Sequence, residues 1–195
     1  MFFKKKADPA VQGRIPPGQH LTRKWPVLHV GQIPRFDPAT WKFETSGLVE
    51  APMELDWAAF GELPQVDLTT DFHCVTTWSK LDMVWRGVPI AEILGRTRPA
   101  PEATHVIIHS HGGYATNLPL DVVNDDDVLL ATGCDGTPLT PDHGYPLRLV
   151  VPKRYAWKSA KWLRALEFTS ADQPGFWELR GYHNNAEPWA EERFG

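Results

Sequence analysis

Three observations in this sequence predict an α+β fold of mixed β-sheets with short helices. Apolar runs such as "HVIIH", "VLLAT" and "LRLVV", together with alternating stretches such as "WKFETSGLV", make strands outnumber helices. No regular alternation of strand and helix with a Gly-rich phosphate loop occurs, which argues against a doubly wound parallel sheet. Finally, 18 Pro, 15 Gly and 9 Trp in 195 residues describe a loop-rich chain anchored by large aromatics. The length suits one domain spanning residues 1–195.

The elements follow in order. Residues 1–24 are polar and broken by Pro9, Pro16, Pro17 and Gly18, so an extended N-terminal arm over the domain is expected. In "WKFETSGLV", Trp41, Phe43 and Thr45 share one side of a strand. "LDWAAFGEL" predicts a short helix with Asp56 as N-cap, Leu55 and Phe60 as a hydrophobic staple, and a stop near Gly61 and Pro64. "VDLTTDFHC" sets Val66, Leu68, Thr70 and Phe72 against Asp67, Thr69, Asp71 and His73, a half-buried strand whose end delivers Cys74 into a loop. "GVPIAEILG" predicts a second helix, with Pro89 near its first turn and Gly95 as its stop. The runs "HVIIH", "VLLAT", "LRLVV" and "WLRALEF" supply further strands, and the tail from Phe176 to Gly195, with Trp177, Tyr182 and Trp189, is expected to wrap the surface.

Composition narrows the function. Twenty Lys and Arg against 24 Asp and Glu give a net charge of -4, which disfavours nucleic acid or an anionic membrane as the main partner. No stretch of about 18 apolar residues is present, so no membrane span is expected, and Lys4–Lys6 are not followed by the apolar segment of a signal peptide. Cys74 and Cys134 are too few for a disulfide scaffold and form no CxxC or CxxCH pattern, which points to a cytoplasmic protein.

Three stretches carry candidate chemistry. In "DFHCVTTWSK", Cys74 reads either as a small buried hydrophobe or as a soft metal ligand or nucleophile. In "HSHGGY", His109 and His111 would share a strand face, and with His73 or Cys74 would make a zinc-type site, the basis of a rival hydrolase reading. "NDDD" at 124–127 lacks the spacing of a calcium loop and reads as a solvated turn or helix cap. The third stretch, "DGTPLTPDHGYPLRLVVPKRYAWKSAKWLRALEF", gathers His143, Arg148, Lys153, Arg154, Lys158 and Lys161 around loop mouths, a collection suited to a phosphate.

The run "DHGYPLRLVVP" followed by "SAKWL", with "GYATNLPL" and "FHCV...WS" before it, resembles the pterin-binding portion of the sulfite oxidase superfamily of molybdenum enzymes. The resemblance covers roughly residues 65–170 and implies that superfamily's molybdopterin-binding fold, with Cys74 as the thiolate ligand of molybdenum. It implies that His143, Arg148, Ser159, Ala160 and Lys161 contact the molybdopterin and its phosphate, that Ser110 stands where a small hydroxyl residue contacts the cofactor, and that Tyr114 belongs to the catalytic set. The arm "PPGQHLTRKWPVLH" resembles the segment closing over the pterin, which makes His20, Arg23 and Trp25 candidate contacts. The loop "VTTWSK" differs from the Arg-rich loop of true sulfite oxidases, and Thr76, Thr77, Trp78 and Ser79 become the expected surroundings of the cysteine.

The expected activity is oxygen-atom transfer to or from a small oxo-anion or sulfoxide. With no CxxCH, no cysteine set for an iron-sulfur cluster and no dinucleotide fingerprint, an external redox protein is the expected electron partner. A third, non-enzymatic reading is a cofactor-carrying or partner-binding module that docks through its tryptophans.

Overall fold

A computed structural model of the chain describes residue 11 and residues 13–195, so Lys4–Lys6 and Pro9 of the expected arm lie outside the described residues. In chain order the elements are β1 (His20–Leu21), β2 (Lys42–Gly47), β3 (Met53–Asp56), α1 (Trp57–Gly61), β4 (Val66–His73) and β5 (Trp78–Pro89). There follow α2 (Ile90–Thr97), β6 (His105–Ser110), β7 (Ala115–Pro119), α3 (Leu120–Val123), β8 (Leu129–Cys134), β9 (Thr137–Pro138), β10 (Arg148–Val150) and β11 (Leu163–Thr169). One sheet runs β1-β5-β8-β10, with β4 on the opposite edge of β5 and β9 on β8; the other runs β3-β2-β11-β6-β7. The β1–β5 and β2–β11 pairs are parallel and their neighbours antiparallel, so the sheets are mixed, as the sequence predicts.

Strand burial explains the apolar runs. Leu130 and Leu149 face the main core with Phe43, Leu166 and Phe168, while Leu129, Ala131 and Val150 face a second cluster with Phe72, Trp78 and Trp85. Strands covered on both faces read as continuous apolar runs. Arg148 is two residues from Val150 and so shares its face, toward the second cluster. That parity carries a charged side chain into an aromatic layer.

Both expected helices form. Asp56 caps α1 by accepting from Ala59 N at 2.8 Å, and Leu55 and Phe60 join the same core. In α2 the buried Ile90, Ile93, Leu94 and Thr97 make one face, but Gly95 is not its stop. The helix runs on because Thr97 is anchored: its hydroxyl lies 2.7 Å from Thr45 Oγ1 and donates to Ala51 O at 3.1 Å. Arg98, at φ 49°, ends it.

Two other expectations change. The long strand β5 takes in the end of the expected loop "VTTWSK" and the start of the expected helix stretch "GVPIAEILG". Asp82 takes φ 54° within it, and β4 shifts register between Thr70 and Phe72, so the inward positions pass from Trp78 to Met83 and Trp85 and the alternation is lost to view. The tail does more than wrap the surface: Ala186 is fully buried beside Tyr155 and Trp157. Among the described residues, no helix is long and apolar enough to cross a membrane.

Candidate functional site

The hairpin between β4 and β5 turns on Cys74–Thr77. Cys74 N donates to Trp78 O at 2.9 Å, Thr77 N to Cys74 O at 3.0 Å, and Thr77 closes the turn at φ 72°. The Cys74 side chain is enclosed, with Sγ 3.2 Å from Thr76 Oγ1. Burial pushes the thiol pKa up, and the Thr76 hydrogen bonds with the charges of Lys161 and Arg193 pull it partly back. A buried sulfur whose thiol pKa is raised is a poor free nucleophile and a good soft ligand.

The "DHGYP" loop sits beside it. Gly144, at φ 112°, lets the loop turn where a Cβ would lie 3.1 Å from Arg148 Cβ and 3.2 Å from Lys161 Cβ. The two cations then reach back to the loop backbone. Arg148 donates to His143 O and Ser159 O, each at 3.0 Å, and its guanidinium carbon lies 5.3–5.6 Å from the ring centres of Phe72, Trp85 and Trp25. Lys161 Nζ donates to Asp142 O at 2.7 Å and Leu28 O at 2.8 Å. Burial lowers Arg148 to about 10, and burial with the adjacent Arg148 lowers Lys161 to about 7. Among the described residues, no carboxylate pairs with either; an anion would relieve both.

A cleft of about 300 Å³ joins these parts, lined by Trp25, Cys74, Tyr114, Arg148, Ser159, Ala160 and Lys161. His143 stacks on Trp25 with ring centres 3.6 Å apart and planes 7° from parallel. Among the described residues its Nδ1 is buried without a partner, as are Ser110 Oγ and Trp78 Nε1. Burial pushes His143 down to about 4. One soft sulfur, a buried arginine and a half-buried lysine with no ion pair among the described residues, and orphaned polar atoms fit an anionic group that brings its own remaining metal ligands.

The expected site residues divide. Trp25, Cys74, Tyr114, Arg148, Ser159, Ala160 and Lys161 converge on the cleft, and His143 borders it through Trp25. His20, Arg23 and Ser110 do not line it: His20 is exposed because β1 joins β5 through backbone, His20 N donating to Thr77 O, and Arg23 is exposed beyond it. The Tyr114 hydroxyl donates to Trp157 O at 2.7 Å, so Tyr114 presents its ring. Ser159 Oγ accepts from Val151 N at 2.9 Å and fixes its own loop.

Of the other basic residues, Lys153 pairs with Asp125, Arg154 with Glu187 and Lys158 with Glu178, so they do not supply a phosphate site. The zinc-type cluster is also absent. β6 ends at Ser110, so His111 leaves the strand face; His109 Nε2 sits 2.8 Å from Glu167 Oε2, and His73 Nδ1 2.8 Å from Ser79 Oγ. Among the described residues, no group of three His, Cys, Asp or Glu is placed to hold a metal alone.

Sequence reasoning missed the contribution of the tail. Trp177 and Tyr182 line the cleft with Trp157. Glu178 pins that segment: its Oε1 accepts from Trp157 Nε1 at 2.9 Å and Thr116 Oγ1 at 3.0 Å, and lies 2.6 Å from Lys158 Nζ. The available signal was an acid set between Trp177 and Leu179.

Known proteins resemble this chain in sequence and in fold. The model of the oxidoreductase molybdopterin binding domain matches residues 30–177. An oxidoreductase of Bacillus subtilis, YuiH, is 45% identical over 195 residues, covering 100% of this chain and 98% of that one. The protein-methionine-sulfoxide reductase catalytic subunit MsrP of Gluconobacter oxydans is 30% identical, over 96% of this chain and 61% of its own length. In fold, the sulfane dehydrogenase SoxCD from Paracoccus pantotrophus superposes with a TM-score of 0.68 at 23% identity, over 74% of this chain and 42% of that one. The chain belongs to the oxidoreductase molybdopterin binding domain family of the sulfite oxidase superfamily, and its cofactor is molybdenum-molybdopterin.

Proposed function

We propose that this molybdopterin-dependent oxidoreductase exchanges an oxygen atom with a small neutral sulfur compound of the sulfoxide class rather than with an oxo-anion. The observation that carries this is the wall of the cleft. Beyond Arg148 and Lys161 it offers no further Lys or Arg among the described residues, and Trp157, Trp177 and Tyr182 make it aromatic. An oxo-anion entering such a cleft would lose hydration without a cation of its own, whereas a sulfoxide brings apolar arms and one strong acceptor oxygen. The sulfoxide reductase among the relatives supports the same choice.

In this reading Cys74 ligates the metal, Arg148 and Lys161 hold the pterin phosphate, and Trp25 and His143 cover the pterin. The bound group supplies the two-electron oxygen-atom exchange itself. The chain's own part is to exclude water, orient the substrate against the aromatic wall, and hold the cofactor. Thr76 Oγ1, at 3.2 Å, is placed to donate to the cysteine sulfur as a thiolate. Electrons come from an external redox protein, and the two free, buried cysteines suit a reducing compartment, so the cytoplasm is the proposed location.

The test is metal analysis and dye-linked turnover of protein matured with molybdate. We expect stoichiometric molybdenum, reduction of dimethyl sulfoxide in preference to nitrate, and loss of both metal and turnover in Cys74→Ser. Zinc in place of molybdenum, or full turnover in Cys74→Ala, refutes the assignment; preference for nitrate refutes the substrate class.

A further inference from the structure

Both ends of the described chain meet behind the cysteine loop. Gln19 Nε2 donates to the Cys74 carbonyl at 3.0 Å. Arg193 Nη1 donates to the next carbonyl, Val75 O, at 2.9 Å, while its Nη2 donates to Pro17 O at 3.2 Å and so ties the tail to the arm that carries Gln19. The guanidinium carbon rests 5.1 Å from the ring centre of the fully buried Tyr155, and the Arg193 side chain is 15% exposed. Gln19 and Arg193 both lie outside the residues matched by the family model.

We infer that Gln19 and Arg193 are positioning residues for the metal-binding cysteine, holding the two successive carbonyls of its turn so that the sulfur keeps one direction. This rests on the assignment of Cys74 as the ligand. The turn itself is thin: among the described residues its internal backbone hydrogen bonds are the two between Cys74 and its partners Trp78 and Thr77, and Thr77 is in the left-handed region. Inside the turn the Cys74 oxygen accepts from Thr77 N alone, and among the described residues the Val75 oxygen has no partner within the turn, so the grips from Gln19 and Arg193 limit rotation of both peptides. An arginine suits the task because its planar fork bonds two carbonyls at once, one in the turn and one in the arm.

The experiment measures how fast iodoacetamide labels Cys74 in the full chain produced without cofactor, in a Cys134→Ala background so that one thiol reports. Loss of one such hydrogen bond should favour opening of the turn, and Arg193→Ala and Gln19→Ala should each label about five- to tenfold faster than the parent. Arg193→Lys, which reaches a single carbonyl, should fall between. A role through charge alone has the opposite sign: without Arg193 the thiol pKa climbs further and labelling slows. Labelling at or below the parent rate in either alanine variant overturns the proposal, and if Arg193→Ala does not fold, Gln19→Ala decides it. In molybdenum-loaded protein the same variants should retain metal yet shift its electron paramagnetic resonance signature. Parent protein lacking molybdenum would defeat the functional reading while leaving the labelling result to stand on its own.

Discussion

Lys158 and Glu178 form a 2.6 Å ion pair with both side chains enclosed, at 0% and 2% exposure. Glu178 also accepts from Trp157 and Thr116, and Lys158 donates to Asn117 O at 2.9 Å and Oδ1 at 3.1 Å. Removing one partner strands the other charge in a dry site. Glu178→Ala should therefore cost about 3–5 kcal/mol in denaturant unfolding. Because Trp177 and Tyr182 flank the lost peg, KM for a sulfoxide should rise in the folded fraction while molybdenum content holds.

Arg148→Ala and Lys161→Ala should each lower pterin content at least tenfold where cofactor is limiting, since charge-assisted contacts to a phosphate are worth about 1.5–3 kcal/mol. Pterin released by acid and quantified by fluorescence checks this. Lys153→Ala, whose partner is Asp125 at the surface, should leave pterin content unchanged.

Gly144→Ala should fail more severely than its size suggests. The backbone stands at φ 112°, and the new Cβ would press on Arg148 and Lys161 together. A loss of at least about 1 kcal/mol is expected from the backbone conformation alone, with a matching fall in cofactor content.

His143 gives stability a pH dependence of known sign. Burial, reinforced by Lys161 and Arg148, pushes its pKa down to about 4 against the ordinary 6.5, while Asp142 pulls it up. Between those values the unfolded chain binds a proton that the folded chain does not. Its contribution is therefore intact above pH 6.5 and is lost as pH falls toward 4. Unfolding midpoints of His143→Gln should be flatter than those of the parent across that window.

Much of this was legible in the sequence. The Asp56 cap, the apolar runs of β8 and β10, and the cysteine at the end of β4 are local signals, and the family resemblance carried by "DHGYP" and "SAKW" implied a shared site for Arg148 and Lys161, which line one cleft. What stayed hidden depends on distance or parity. Lys158 and Lys161 stand three apart in one basic run, yet one meets Glu178 and the other the cleft, and nothing near them distinguishes the two. β5 was concealed by the turned backbone at Asp82, which moves the inward side chains from even to odd positions. Gln19 and Arg193 look like ordinary surface residues until the chain closes.

That closure bears on the order of events in the cell. Gln19 and Arg193 grip the neighbouring carbonyls of Cys74 and Val75 although 173 residues lie between them in the chain. A nascent chain can pair β4 with β5 early, but the cysteine turn lacks its second grip until residue 193 has left the ribosome. On that inference, protein whose tail is cut short of Arg193 would fold its sheets and keep a cysteine turn gripped from the Gln19 side alone.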